Sequence, residues 1–172
     1  RIDGFVAHVA AFRKIEVADI RPLKGTIPNV GFMQIDLMKD LPERYVAMCD
    51  SLSCLHALEH FGLGRYGDRI DPAGHLAGLA NLALMLREGG ILYLSVPIGP
   101  QRVEFNSHRV FGLSHILDLI DRHGFDVLAF SYVDDAGDLF ENAPLTTALV
   151  AANCGVRTGC GIFELRKRNQ PA

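Results

Sequence analysis

The sequence predicts an α/β fold with a mainly parallel sheet. Three observations carry this. Strand-like runs alternate with helical patterns through much of the chain. Ile91–Val96 (ILYLSV) is nearly all apolar, as are strands buried on both faces of a parallel sheet. Two earlier runs end in an acid, Asp19 and Asp36, as strands feeding a ligand cleft can do.

Taken in order, Gly4–Phe12 places Phe5, Val9 and Phe12 on one helical face. Ile15–Ile20 is a β-branched strand, and Pro22, Gly25 and Pro28 mark the loop behind it. Gly31–Ile35 is a second strand, followed by a turn at Asp40–Pro42. Tyr45–Cys54 contains a third, with its core at Met48–Cys54. A glycine-rich irregular loop comes next. Asp71 then caps a helix with Pro72 at its first position, running to about Leu86 and stopped by Gly89 and Gly90. After Ile91–Val96, Pro97, Gly99 and Pro100 open the polar loop Gln101–Arg109. Ser114 caps a helix to about Arg122, closed by Gly124. Phe125–Val133 is a strand, Leu145–Ala152 is helical, and Gly161–Arg166 is the last strand. The connections around Pro22–Val30 and Leu37–Val46 are too short for full crossover helices, so they cross as extended loops. The first helix precedes the first visible strand, and Arg1 is not Met. The expectation is one domain whose first strand lies before Arg1.

Bulk properties narrow the function. The 172 residues are 49% hydrophobic and 22% charged, with net charge -3. These values suit a globular domain with its own core and leave no basic footprint for nucleic acid. Arg166–Arg168 reads as a solvated end. No run is long and apolar enough to span a membrane, and no signal peptide is apparent. The four cysteines form no C-x-x-C pair and read as free thiols of a cytoplasmic protein.

The chemistry centres on Asp50–His60, DSLSCLHALEH. The H-x-x-E-H spacing of His56, Glu59 and His60 matches an inverted zinc-protease motif, in which two histidines one helical turn apart hold a metal. Such a site needs a long helix and a third ligand, and Gly62 and Gly64 interrupt the helix at once. Read instead as a strand end, the stretch is the floor of a nucleotide cleft. Acids at successive strand ends support that reading: one accepts from ribose hydroxyls, the next from an adenine amino group. Each alone is an ordinary turn cap.

These residues resemble the class I S-adenosylmethionine-dependent methyltransferases. The resemblance runs through VADIR, FMQIDL, the LEH after the fourth strand, and LREGG followed by an apolar strand. RIDGFVAH, SLSCLHALEHFGLGRYGD, LYLSVPIG and FNSHRVF are more closely similar to domain-of-unknown-function family 268. The resemblance implies a Rossmann-like methyltransferase fold, helices on both faces and an antiparallel last strand. Its cofactor is S-adenosylmethionine. Arg1 to Gly4 would end the cofactor loop, Asp19 bind ribose, Ile20 pack on adenine, and Asp36 with the Leu37 backbone hold the adenine edge. Leu55 and His56 would face the methionine part. Only Gly4 of the family's G-x-G-x-G loop is visible. A hydroxyl or amine acceptor needs a base; His56 and His108 are the candidates, with Arg65, Tyr66 and Arg109 available to orient it. The expected acceptor is a small molecule such as a sugar or metabolite, with neither nucleic acid nor membrane as partner. A non-catalytic methyltransferase-like binding module and a zinc hydrolase are the alternatives.

Overall fold

The computed structural model describes residues 4–23, 25–104 and 107–169. Helix α1 (Gly4–Ala10) turns Val6 and Ala10 inward. Strands β1 (Ile15–Asp19) and β2 (Val30–Gln34) pair in parallel as a separate two-stranded sheet. β3 (Cys49–Leu55) follows, then helix α2 (Gly74–Met85) and the long strand β4 (Leu86–Ile98). The short strands β5 (Arg102–Val103) and β6 (Arg109–Val110) form a hairpin within the expected polar loop. Helix α3 (Leu113–Arg122), β7 (Phe125–Val133), β8 (Leu139–Phe140), helix α4 (Thr147–Ala151) and β9 (Gly159–Lys167) complete the order.

The larger sheet has five strands in the order β3–β4–β9–β7–β8. β3 and β4 are parallel, but β9 lies between β4 and β7 and runs against both. The expectation of a mainly parallel sheet is therefore corrected at the level of pairing. β3, β4 and β7 point the same way; the inserted β9 makes most of their contacts antiparallel. The last strand is antiparallel, as anticipated.

α2 and α3 bury Leu79, Leu82, Ile116 and Ile120 against Leu92, Leu94, Phe163 and Leu165, and α4 adds Leu149 and Val150. The opposite face leaves Tyr93 and Ile162 exposed. Strand alternation explains the contrast, because neighbouring residues point to opposite faces.

Three local readings change. Asp71 is not the N-cap of α2: its side chain accepts from the Ala73 amide and its carbonyl from Gly74, making a turn that precedes the helix. Gly89 and Gly90 do not stop that helix, which ends at Met85. They lie inside β4, where Arg87–Gly90 bulge out of register against β3. Ser114 does not cap α3. The first amides bond instead to distant side chains, Gly112 to Gln101 and Leu113 to Asn153 at 2.7 Å. A cap brought in by tertiary structure leaves no local sequence signal. The basic run is the exposed end of β9, and it is held in place: Lys167 donates to the Leu86 carbonyl and Arg168 pairs with Asp121 and Asp126.

Candidate functional site

A cleft of about 540 Å³ opens at the carboxyl ends of β1 and β2, lined by Ile20, Gln34, Ile35, Asp36, Lys39 and the loop Gly67–Arg69. Its size lies within the range of small-molecule sites. Ile20 and Ile35 give it apolar walls and Asp36 an acceptor, a combination that fits a nucleoside base. Asp36 Oδ1 takes the Met38 amide at 3.0 Å, and Lys39 is 3.6 Å from Oδ2. The carbonyls of Leu37 and Lys39 both accept from Asn81 Nδ2, at 2.8 and 2.7 Å. Asn81 is buried in α2 and so ties the β2 exit to the larger sheet. Replacing it with leucine should lower unfolding stability by about 2 kcal/mol, because two partly buried carbonyls lose their shared donor; urea denaturation measures this.

Asp19 stands beside the cleft with its carboxylate engaged. It accepts from the Arg21 amide at 2.9 Å, from Nε at 3.0 Å and from Nη2 at 2.8 Å. Burial opposes its charge, but the Arg21 hydrogen bonds outweigh that and hold the carboxyl far below the usual range. The Arg21 guanidinium in turn lies 4.4 Å above the Tyr66 ring, a cation–π contact. Tyr66 also meets His60 edge-on at 5.3 Å.

The glycine-rich loop holding Tyr66 is ordered from inside. Asp68 takes the amides of Gly62, Gly64 and Tyr66 at 2.9, 3.1 and 3.0 Å. Gly62 has φ +76°, and a Cβ there would lie 1.9 Å from the Asp71 carbonyl oxygen, so only glycine fits. Arg109, 4% exposed, donates to the carbonyls of Glu59, Phe61 and Pro72. Its role is to hold this loop, where the sequence suggested an orienting residue for an acceptor.

The H-x-x-E-H stretch lies on no α-helix. Only Leu58–His60 is helical, as a 3-10 turn, and His56 precedes it with φ +48°. His56 and His60 therefore lack the one-turn spacing on an α-helical face that the zinc reading requires. Among the described residues no group of three His, Cys, Asp or Glu side chains could hold a metal. The residues build a hydrogen-bonded network instead. Glu59, 2% exposed, has Oε1 3.1 Å from His56 Nδ1 and 3.8 Å from His60 Nε2. His60 Nδ1 donates to the Ser107 carbonyl at 2.9 Å, and Ser107 Oγ is 2.6 Å from His108 Nδ1. The His60 and His108 rings are 6.2 Å apart. Hydrogen bonds to Cys160 and to Glu59 push His56 up to about 10 against its partial burial, so at neutral pH it carries a proton. It is then a proton holder and not the resting base its unperturbed range suggests.

Of the sites expected from sequence, Ile20 and Asp36 line the cleft, Leu37 contributes to its tied edge, and Asp19 stands beside it. Leu55 is exposed at the end of β3, and His56 and His108 belong to the histidine network. Gly4 begins α1 with open space around it. Arg1 lies outside the described residues. Sequence reasoning missed Asn81, Asp68 and Cys160. Asp68 had a signal, an acid centred in a glycine-rich loop; Cys160, 104 positions from its partner His56, had none.

The sequence profile of a family described as "Caenorhabditis protein of unknown function, DUF268" matches residues 24–148. No curated protein sequence matches the chain. Solved structures do. A SAM-dependent methyltransferase from Methanosarcina mazei superposes with a TM-score of 0.63 at 11% identity, over 96% of this chain and 87% of that one. The cyclase SpnF gives 0.61 at 15% identity, over 95% and 71%. The 1,6-didemethyltoxoflavin-N1-methyltransferase of Burkholderia thailandensis, solved with 1,6-didemethyltoxoflavin and S-adenosylhomocysteine, gives 0.56 at 16%. That match covers 91% of this chain, which spans 62% of the Burkholderia enzyme. At such identities the likeness shows the Rossmann-like methyltransferase fold.

Proposed function

This chain belongs to the DUF268 family, and on that premise we propose that it binds S-adenosylmethionine and transfers its methyl group to a small-molecule acceptor. The observation that carries the proposal is the cleft at the ends of β1 and β2, with Ile20 and Asp36 in its wall and Asp19 beside it. Open α/β sheets bind ligands at this end of their strands. Asp36 would hold the adenine edge, Ile20 would pack on the ring, and Asp19 would accept from the ribose once Arg21 gives up part of the carboxylate. Bound there, S-adenosylmethionine supplies a methyl group carried on a sulfonium.

For the acceptor, the chain offers a histidine network on the far side of Tyr66. His56 holds a proton, Glu59 balances its charge, and Ser107 fixes the rings of His60 and His108. His108 Nε2 is buried and has no partner among the described residues, so it would receive a proton only from an acceptor hydroxyl or amine that enters the network. The main contribution of such a site is alignment, since displacement at a sulfonium methyl needs the acceptor atom in line.

A second reading, a binding module without catalysis, is favoured by the full engagement of Asp19 with Arg21. Thermal-shift titration of the full natural chain with S-adenosylmethionine and S-adenosylhomocysteine tests both. A saturable rise in melting temperature of several degrees with either nucleoside supports the site. No shift with either removes cofactor binding and with it methyl transfer. A shift without turnover on a panel of hydroxyl and amine acceptors supports the binding module.

A further inference from the structure

All four cysteines are free, and three are set against reactivity. Burial pushes Cys54 up to about 12 and Cys154 up to about 11, and raises Cys49. Cys160 differs in its neighbour. It lies at the start of β9, opposite Pro97 of β4 and Val133 of β7, at the ligand end of the sheet. Its Sγ is 3.2 Å from His56 Nε2, while His56 Nδ1 is 3.1 Å from Glu59 Oε1. Sulfur, imidazole and carboxylate are thus joined through the two nitrogens of one ring. This is the arrangement by which an adjacent base, oriented by a third group, activates a nucleophile.

Two further features fit a built site. Glu59 is almost wholly buried and its Oε2 has no partner among the described residues. A buried carboxylate left so is costly unless a neighbouring positive charge compensates it, and a protonated His56 does so. His56 also holds φ +48°, a conformation costly for a residue other than glycine that recurs where side-chain placement matters.

We propose that Cys160 is a nucleophilic thiol, activated by the His56–Glu59 pair, that takes soft carbon electrophiles at the open end of the larger sheet. The thiol proton rests on His56 Nε2, so the pair stands as thiolate and imidazolium before the electrophile arrives. The sulfur attacks the carbon, the S–C bond forms as the bond to the leaving group breaks, and the leaving group departs with the electron pair. The thiol becomes a thioether, the proton stays on the imidazole facing Glu59, and no oxidant is needed. Leu55 and Ile162, 41% and 38% exposed, share one register row through Ser95 and give the approaching ligand an apolar flank.

Among the described residues another polar neighbour of the sulfur is the Gly161 carbonyl, at 3.9 Å. Glu59 and, through it, His60 come from the 3-10 turn; β4 offers the uncharged Pro97. β7 leads into Asp134 and Asp135, whose carboxylates are bonded to the amides of Ala136 and Asp138 and of Arg157 and Thr158. The high proton affinity of His56 agrees with a charged imidazole beside the sulfur. The inference does not depend on nucleoside binding.

The test is alkylation of the full natural chain by iodoacetamide between pH 6 and 8, with the rate at each cysteine read by peptide mass spectrometry. Cys160 should react at least tenfold faster than Cys154 at pH 6.5, with a rate nearly flat across the range. An ordinary thiol instead gains about tenfold per pH unit below its pKa near 8.5. His56→Asn keeps a side chain that tolerates positive φ and should slow Cys160 by tenfold or more at pH 6.5, restoring the ordinary slope. Glu59→Gln should slow it less. A wild-type rate at Cys160 that climbs with pH as at Cys154 overturns the proposal, and this arm needs no variant to fold. An unchanged rate in a folded His56→Asn protein overturns it equally.

Discussion

Replacing Arg109 with leucine lowers the stability of the fold by about 3 kcal/mol, the largest loss expected from any one substitution near the site. The side chain is nearly inaccessible and reaches three carbonyls, those of Glu59, Phe61 and Pro72, from β6. Two effects oppose each other. Taking a guanidinium out of water is costly, and burial draws its pKa down, so its removal relieves a penalty. Leucine, however, leaves buried carbonyls without donors at about 1–3 kcal/mol for each that water does not reach. It also removes the positive charge that faces Asp68 and Asp71. The second effect wins because the carbonyls lie at both ends of the glycine-rich loop, so their loss frees the whole segment. Urea denaturation of Arg109→Leu and Arg109→Lys checks this. Lysine keeps the charge without the forked donor and should fall between wild type and leucine. An unchanged midpoint in Arg109→Leu would mean that water satisfies the carbonyls and that the loop orders itself.

That loop shows what a sequence can and cannot reveal. Its irregularity was legible from Gly62, Gly64 and Gly67, and so was the start of a short helix at Glu59 that breaks at once. Its organiser, Arg109, was visible only as a charge in a polar loop, since burial depends on what the chain folds against. Strands behaved alike. Phe125–Val133 matched its element because apolar alternation marks one buried face. β4 was underestimated because Gly89 and Gly90 look like a helix stop, although here they allow a bulge inside a strand. The insertion of β9 between β4 and β7 has no local signature, and neither does the meeting of Cys160 with His56 that it brings about. Local chemistry is written in neighbouring residues; pairing order and remote caps such as Asn153 on α3 are settled by the packing of the whole.

The acids at the strand ends were legible, and their engagement by neighbours was not, which gives the second large prediction its form. On the proposed function, substituting Asp19 with alanine should weaken S-adenosylmethionine binding by about a hundredfold, while substituting Arg21 with alanine should tighten it by up to about fivefold. The opposite signs follow from one geometry. Two ribose hydroxyls bonding an ionised carboxylate are worth about 1.5–3 kcal/mol each when that carboxylate is free to accept. Arg21 now occupies both Asp19 oxygens, so ribose must displace or share it. The pair is partly exposed, with 46% of the Arg21 side chain accessible, and an ion pair in that setting contributes at most about 1 kcal/mol. Displacement is therefore cheap beside what the ribose gains, and removing Arg21 returns only that small cost. Losing the guanidinium also uncovers the Tyr66 ring, whose contact with His60 persists without it. Isothermal titration calorimetry of the three proteins measures both changes, with melting temperatures without ligand showing that each variant folds. If Arg21→Ala weakens binding as much as Asp19→Ala does, the guanidinium itself touches the ligand. If all three affinities are equal, the ribose does not meet Asp19, and the cleft beside it holds something other than a nucleoside.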